Sequence, residues 1–439
     1  MPGGVVARRT LDERGLPTSR NVMRGQELLD RTEYEWLGLD RLAAKNSTTW
    51  GALGYEHDSR GRLASARQTD GAMQWRSPGP TGNLFKKQDR SDRRYGKGGV
   101  LLQDGDTAYA YDAAGRVISK QLPDGQQWKY EWDAAGHLTA VATPARGVVS
   151  FTYDALGRRI SKTSDGRTTH WLWDGDVPVH EWSGDPLAPQ LSTWIFEPES
   201  FAPMGKLGAD GTSYSIVTDY LGTPTEMFDE AGKVAWKAQL DIYGVPQIAE
   251  GTTADCPWRW PGQYEDVETG LFYSRQRYYD PERGDFLSQD PISLLGHGPG
   301  RTLYGYTKDP LTWIDPFGLG WKLVDFANSS DLFPAGPGQS SIVTIVMQGA
   351  RKNDFTQANI AGGFTAGRPA DYTWHHVGDF NPATGECTMQ LVTTTAHEAT
   401  YPHTGSCAQF GEHFGVKYDT AESRRAAEEE GWKKKGGCG

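Results

Sequence analysis

Four of the chain's ten histidines fall in one stretch of 36 residues, Tyr372 to Cys407. His375 and His376 are adjacent, at the end of the run Tyr372-Thr373-Trp374. A segment with Gly378, Asn381, Pro382 and Gly385 follows, then Met389, Leu391 and Val392, then His397 and His403. Neutral imidazole binds divalent metals, and an imidazole left unbound can take up a proton near neutral pH. Histidines gathered in this way suit a divalent cation with one imidazole free as a base. The plainer alternatives are a structural zinc site or a set of solvated histidines. Cys387 and Cys407 lie in the same stretch. Pairing, metal ligation and simple packing are all compatible with their spacing.

A cluster of this kind needs a scaffold. At 439 residues the chain has room for more than one domain. Its formal net charge is -11 and its pI about 5.5, so the whole molecule does not read as a nucleic-acid binder. No run of about 18 apolar residues is present, so no membrane-spanning helix is expected. The first residues, MPGGVVARRTLDERG, lack the apolar core of a Sec signal. Four cysteines are too few for a disulfide framework. The 54 glycines, 16 tryptophans and 19 tyrosines suit many short strands joined by tight turns.

The strands repeat. Tyr111-Asp112-x-x-Gly115-Arg116 returns as Trp132-Asp133-x-x-Gly136-His137 and as Tyr153-Asp154-x-x-Gly157-Arg158, at steps of 21 residues. His57-Asp58-x-x-Gly61-Arg62 is an earlier copy, and Trp36 opens a degraded one with Asp40-Arg41. In each unit an aromatic ends a strand, Asp caps the turn and Gly takes a positive φ. One hairpin cannot bury its own face, so units must stack. The period lapses between about 65 and 105, and Lys86 to Gly99 is expected to form a surface loop.

The repeat resembles the YD-repeat of Rhs proteins. Residues 215–319 extend the likeness. They carry Asp219-Tyr220-Leu221-Gly222, Gly262-Gln263-Tyr264-Glu265-Asp266, Arg277-Tyr278-Tyr279-Asp280-Pro281, Gly284-Asp285-Phe286-Leu287, Asp290-Pro291, Tyr304-Gly305-Tyr306 and Asp315-Pro316-Phe317-Gly318-Leu319. This is similar to the Rhs repeat-associated core, which closes a hollow β-shell and precedes a variable C-terminal toxin. The resemblance implies that the shell cuts itself between Leu319 and Gly320. Asp290 and Asp315 would then be an aspartyl-protease pair, one carboxyl holding a proton while the other activates water. Ser293 stands where the family has Gly, and the spacer 294–314 is longer than expected. Asp309-Pro310 competes for either role, and plain turn formation is the alternative for both the Asp290 and Asp315 units.

Beyond Leu319 the repeat stops. Ser341 to Met347 reads as a buried strand, and a helix is expected from an N-cap at Thr420 to Glu430. Trp374-His375-His376, Gln390-Leu391-Val392, His397 and His403-Thr404-Gly405 resemble the WHH group of HNH/endonuclease VII-like nucleases. That resemblance implies a ββα-metal finger. His375, His397 and His403 would be metal ligands, His376 the general base, and Asp379 a residue that orients an imidazole. An all-imidazole site favours Zn, Ni or Mn, with Mg also possible. Adjacent strand residues point in opposite directions. His375 and His376 can therefore share a site only if the backbone leaves strand geometry there. From residue 320 on there are 13 Asp/Glu and 10 Lys/Arg, so the domain is not basic, although Arg351, Lys352 and Arg368 could form a local patch.

The expectation is a mainly β shell (1–214 repeats, 215–319 core and junction) followed by a small α+β nuclease domain, 320–439. The resemblance further implies a secreted antibacterial effector that cleaves DNA in a target cell's cytoplasm. Its partners would be a cognate immunity protein and a secretion apparatus, type VI by expectation. A family shell is much longer than 320 residues, so the chain is expected to be a truncated or short cassette. The alternatives are a non-enzymatic shell or adhesin with a metal-stabilised cap, or an RNase on the same finger.

Overall fold

A computed structural model describes residues 2–13, 16–38, 41–184, 191–198, 200–291, 302–319, 326, 329, 331–398, 405–414 and 416–432. The chain divides into two compact units, one reaching residue 293 and continuing at 297–320, the other comprising 294–296 and 321–439.

The first unit is built of antiparallel meanders. Seven strands run from Val5–Leu11 to Met73–Trp75, and sixteen from Arg93–Tyr95 to Pro246–Glu250, each hydrogen-bonded to its neighbour in sequence. The two sheets part where the repeat lapses. Of Lys86 to Gly99, expected as a surface loop, residues 86–91 are exposed and outside any strand, whereas Arg93–Tyr95 opens the larger sheet. Arg93 is buried there because its guanidinium is taken up by Leu84 O, Arg283 O and Asp104. The strand Ser213–Thr218 spans residue 214, and the sheet continues through it into the junction.

The repeat motif closes its turns as its residue types dictate. Asp112 Oδ1 accepts from the amides of Ala114 (3.0 Å) and Arg116 (2.8 Å), and Arg116 Nε donates to Oδ2 at 2.7 Å. Asp154 repeats this with Leu156 and Arg158. His137 fills the arginine's place with Nδ1 3.0 Å from Asp133. Gly136 has φ of +92°, a region costly for other residues. The arginines do more than close a turn. Arg116 Nη1 reaches Asp133 O, and Arg158 Nη1 reaches Gly175 O, so each stitches its turn to the next. The aromatics also reach across: Trp132 Nε1 donates to Val117 O and Tyr153 Oη to Leu138 O.

The junction forms a four-stranded sheet, Tyr264–Asp266, Leu271–Ser274, Arg277–Asp280 and Asp285–Phe286. Its Leu271, Tyr273, Tyr278 and Leu287 complete a core with Leu101, Val117, Leu138 and Phe151 of the repeats. Asp266, fully buried, pairs with Arg159 at 2.5 Å and Lys162 at 3.1 Å, and Arg159 lies over the rings of Trp171 and Tyr273. A buried carboxylate is tolerable only when paired in this way.

The second unit is α+β. Its three-stranded antiparallel sheet has Glu386–Thr393 in the centre, flanked by Ile342–Val346 and Tyr372–His376. Four helices accompany it among the described residues: α1 (Arg351–Ala361), α2 (Thr394–Glu398), α3 (Ser406–Phe414) and α4 (Ala421–Glu429). The expected strand and terminal helix are both present, and Thr420 caps α4 in a reciprocal capping box with Ser423. One sheet face carries the main core, with Val343, Ile345, Trp374, Met389 and Leu391 against Ala358, Phe410 and Tyr418. Val392 belongs to a smaller cluster with Phe326, Leu332 and Ala396.

Candidate functional site

The order strand, loop, strand, helix expected around the histidines is present as Tyr372–His376, Glu386–Thr393 and α2. The ladder runs through both histidines, with His375 opposite Gln390 and His376 opposite Met389. Strand geometry therefore continues, and the two imidazoles leave the strand on opposite faces.

His375 is fully buried. Its ring lies 5.4 Å from that of His397 on α2 and 5.2 Å from Phe326. Burial pushes the His397 pKa down, and the positive fields of His376 and Arg351 push it further. The imidazole is thus neutral at neutral pH, the form that ligates metals. Two neighbouring imidazoles are a donor set that fits a divalent cation. Gln390, on the same side, accepts the Phe326 amide at 2.7 Å and fixes the covering residue. His403 and the segment 399–404 lie outside the described residues.

His376 belongs to a different set of contacts. Its Nε2 is 3.0 Å from Asp354 Oδ2, and its ring lies beside those of Phe355 and Tyr418. Asp354, on α1, is completely buried and also accepts from the Gln348 amide (3.0 Å) and Tyr418 Oη (2.6 Å). A carboxylate on Nε2 holds the proton there and leaves Nδ1 as the lone-pair nitrogen. No described residue bonds that Nδ1. Gly405 abuts the His376 carbonyl so closely that a Cβ would come within 2.2 Å, so only glycine fits. Cys407, at the start of α3, offers a sulfur near both partners: one ligand atom each from Asp354, His376 and Cys407 lies within 4.8 Å of the others.

Asp379, expected to orient an imidazole, is exposed and accepts the Thr388 amide at 2.9 Å, closing the loop between the two strands. Asp354 and Tyr418 were not anticipated. They lie 22 residues before and 42 after His376, in segments with no motif. Arg368 donates to Tyr372 O and Arg351 pairs with Asp419, so two of the three cations in the expected patch have local partners. His413 is exposed at the end of α3. His137 and His170 stack on Tyr153 and Trp182.

The junction brings Asp290 and Asp315 to one cation. Arg277 Nη2 is 3.3 Å from a carboxylate oxygen of each, and all three residues are buried. Arg277 Nε donates to Gly318 O, and Asp315 Oδ1 accepts the Leu319 amide at 3.0 Å. Burial lowers the Arg277 pKa against the pull of the two carboxylates. Asp309 is elsewhere, 2.9 Å from His57 Nε2. Gly320 and Ser293 lie outside the described residues.

Residues 3–295 match the family model "Teneurin YD-shell", and residues 364–413 match "A nuclease of the HNH/ENDO VII superfamily with conserved WHH". The double-stranded DNA deaminase toxin A of Burkholderia cenocepacia is 31% identical over 77% of this chain and 25% of its own length. The probable deoxyribonuclease RhsA of Dickeya dadantii is 34% identical over 50% of this chain and 16% of its own. The tRNA3(Ser)-specific nuclease WapA of Bacillus spizizenii is 31% identical over 50% and 9%. The chain thus spans a quarter or less of these relatives. The Tc holotoxin pore of Photorhabdus luminescens shares the fold, with a TM-score of 0.54 at 18% identity over 74% of this chain and 18% of its own. A deaminase, a probable deoxyribonuclease and a tRNA nuclease are all similar, so likeness to these relatives does not set the reaction. The family model spans well over half of the residues, and the chain belongs to the YD-shell family, carrying at its C-terminal end a domain of the WHH nuclease type.

Proposed function

We propose that the C-terminal domain is a metal-dependent nuclease that hydrolyses DNA, and that the chain is the C-terminal part of an Rhs-type antibacterial toxin. The observation that carries this reading is the pairing of two imidazole environments around one strand. His375 and His397 supply neutral nitrogens for a cation, with His403 the expected third ligand. When bound, that cation would neutralise the scissile phosphate and its leaving oxygen. His376 is the base: Asp354 fixes its tautomer and leaves the Nδ1 lone pair for the proton of the attacking water. Because the two imidazoles leave the strand on opposite faces, the reaction requires the strand end to turn His376 toward the cation. Tyr418 and the Gln348 amide hold Asp354 in place for that task.

Release of the domain is assigned to cleavage between Leu319 and Gly320 by Asp290 and Asp315. Support comes from their convergence on Arg277 and from the Asp315 bond to the Leu319 amide. A guanidinium between two carboxylates favours both charges, whereas an aspartyl pair holds one proton. The reaction therefore requires Arg277 to withdraw from one carboxylate. DNA, a cognate immunity protein and a secretion apparatus of type VI are the partners of this reading, and a target cell's cytoplasm is its site of action. No described helix is long and apolar enough to cross a membrane.

The deciding experiment incubates the chain with Mn2+ or Ni2+ and either plasmid or tRNA. Plasmid nicking that His375→Ala and His397→Ala both abolish supports the proposal. Cleavage of tRNA alone moves the substrate to RNA, as the name of the tRNA-specific nuclease WapA suggests for that relative. Intact DNA and RNA with every metal leaves a structural cap and rejects the nuclease reading.

A further inference from the structure

Cys407 has no part in the hydrolytic scheme, yet its sulfur is placed beside the base and the carboxylate that orients it. The three donors come from three separate elements: Asp354 from α1, His376 from the end of its strand, and Cys407 from the start of α3. All three residues are buried, at 0%, 7% and 7% exposure. A tetrahedral zinc with bonds of about 2.0–2.3 Å sets its ligand atoms roughly 3.5 Å apart. The three donor atoms lie within 4.8 Å of one another, so a cation bound among them would draw them together. Tyr418 Oη, 2.6 Å from Asp354 Oδ2, or a water, can take the fourth position.

The donor set selects the cation. Thiolate and imidazole favour a thiophilic, borderline ion over Mg or Ca. Charge balance points the same way. An ionised Asp354, an ionised Cys407 and a neutral His376 leave a divalent cation with no net charge, the condition under which burial costs least. Without a cation, burial holds the Cys407 thiol protonated at neutral pH.

We propose that Asp354, His376 and Cys407 form a second, inhibitory site for a thiophilic divalent cation of the Zn2+ type. This rests on the reading of His376 as the base. On binding, the Cys407 thiol releases its proton to solvent and a sulfur–metal bond forms. One imidazole nitrogen of His376 gives its lone pair to the cation, and the ring proton is left on the other. No lone pair then remains to take a proton from water. The domain has one cation site that supports hydrolysis and another that silences it, on opposite faces of a single strand.

The test uses the full chain in two assays. In the first, Co2+ is added as a spectroscopic probe and the thiolate-to-metal charge-transfer absorption is recorded. The wild type, Cys387→Ser and His397→Ala are expected to show the band, and Cys407→Ser to lose it. A wild type without the band, or a Cys407→Ser variant that keeps it, overturns the site. In the second, plasmid nicking in Mn2+ is titrated with Zn2+. Cys407→Ser is expected to retain activity in Mn2+ and to raise the inhibitory Zn2+ concentration at least tenfold. An unchanged midpoint overturns the inhibitory role. If the band is present but His376→Ala nicks DNA as well as the wild type, the base assignment has failed and the metal site has not.

Discussion

Asp112 and Asp354 each accept three hydrogen bonds, yet one closes a turn and the other holds a candidate base. The partners of Asp112 are two and four residues away, and its side chain is 22% exposed. The partners of Asp354 are 6, 22 and 64 residues away, and it is fully buried. A turn aspartate does its work within its own motif, at the surface, where each bond is worth about 1 kcal/mol. A buried aspartate must be assembled from distant segments, and losing any one partner leaves a charge stranded at low dielectric. Local polar contacts repeat along the shell because each turn is self-sufficient. Convergent carboxylates also occur in the shell, but Asp266 there holds Arg159 and Lys162, whereas Asp354 holds an imidazole for which chemistry is proposed.

The comparison breaks most sharply at His376. His376→Ala should lower plasmid nicking by about 10²–10⁴-fold, the usual worth of a general base. Asp354→Asn should lower it by about 10–100-fold. Circular dichroism of both variants would show whether the domain is still folded; rates within threefold of wild type would place the pair outside the chemistry. At the junction, Asp315→Asn should leave a single uncut chain, where wild type should give two fragments dividing after Leu319. Intact mass decides between them. Asp290→Asn should behave in the same way.

The shell side of the comparison predicts smaller effects and no change in nicking. Asp112→Ala removes two backbone acceptor contacts and frees Arg116, for a loss of about 1–3 kcal/mol and a few degrees in Tm by calorimetry. Gly136→Ala tests strain alone. Its φ is +92° and nothing lies within 4 Å of an added Cβ, so a loss of about 1–2 kcal/mol is expected. A loss within error would mean that the turn relaxes to a negative φ.

The two regions should also respond to acid in different ranges. Burial raises the pKa of Asp112, Asp133 and Asp154, but bonds from the motif's own amides and side chains outweigh it, so all three are lowered. Their contribution is present above the unfolded value near 4 and is lost as pH falls through the folded values. His397 is lowered too, but it is a base. Its unfolded form gains a proton below about 6.5 while its folded form resists, so the domain loses stability as pH falls below that value. Thermal scans from pH 7 to 5 should show the C-terminal unit weakening first, and His397→Gln should flatten that slope.

The repeat, its turn chemistry and the junction's Asp-Pro units were legible in the residues alone, and the strand–strand–helix order around the histidines followed from the resemblance to WHH nucleases. These are readable because their partners lie within a few residues, or because period 2 and period 3.6 patterns report them directly. The resemblance to WHH nucleases also implied that His375 and His397 meet, and their rings lie 5.4 Å apart. Folding in three dimensions buried Arg93, gave Asp309 to His57 and made Asp379 close a turn. It alone brought Asp354, Tyr418 and Cys407 to His376 and set Arg277 between Asp290 and Asp315. Side chains that meet across α1, a strand and α3 leave no periodic trace. Which donors converge is fixed by how helices pack on a sheet, after hydrophobic burial has chosen the faces.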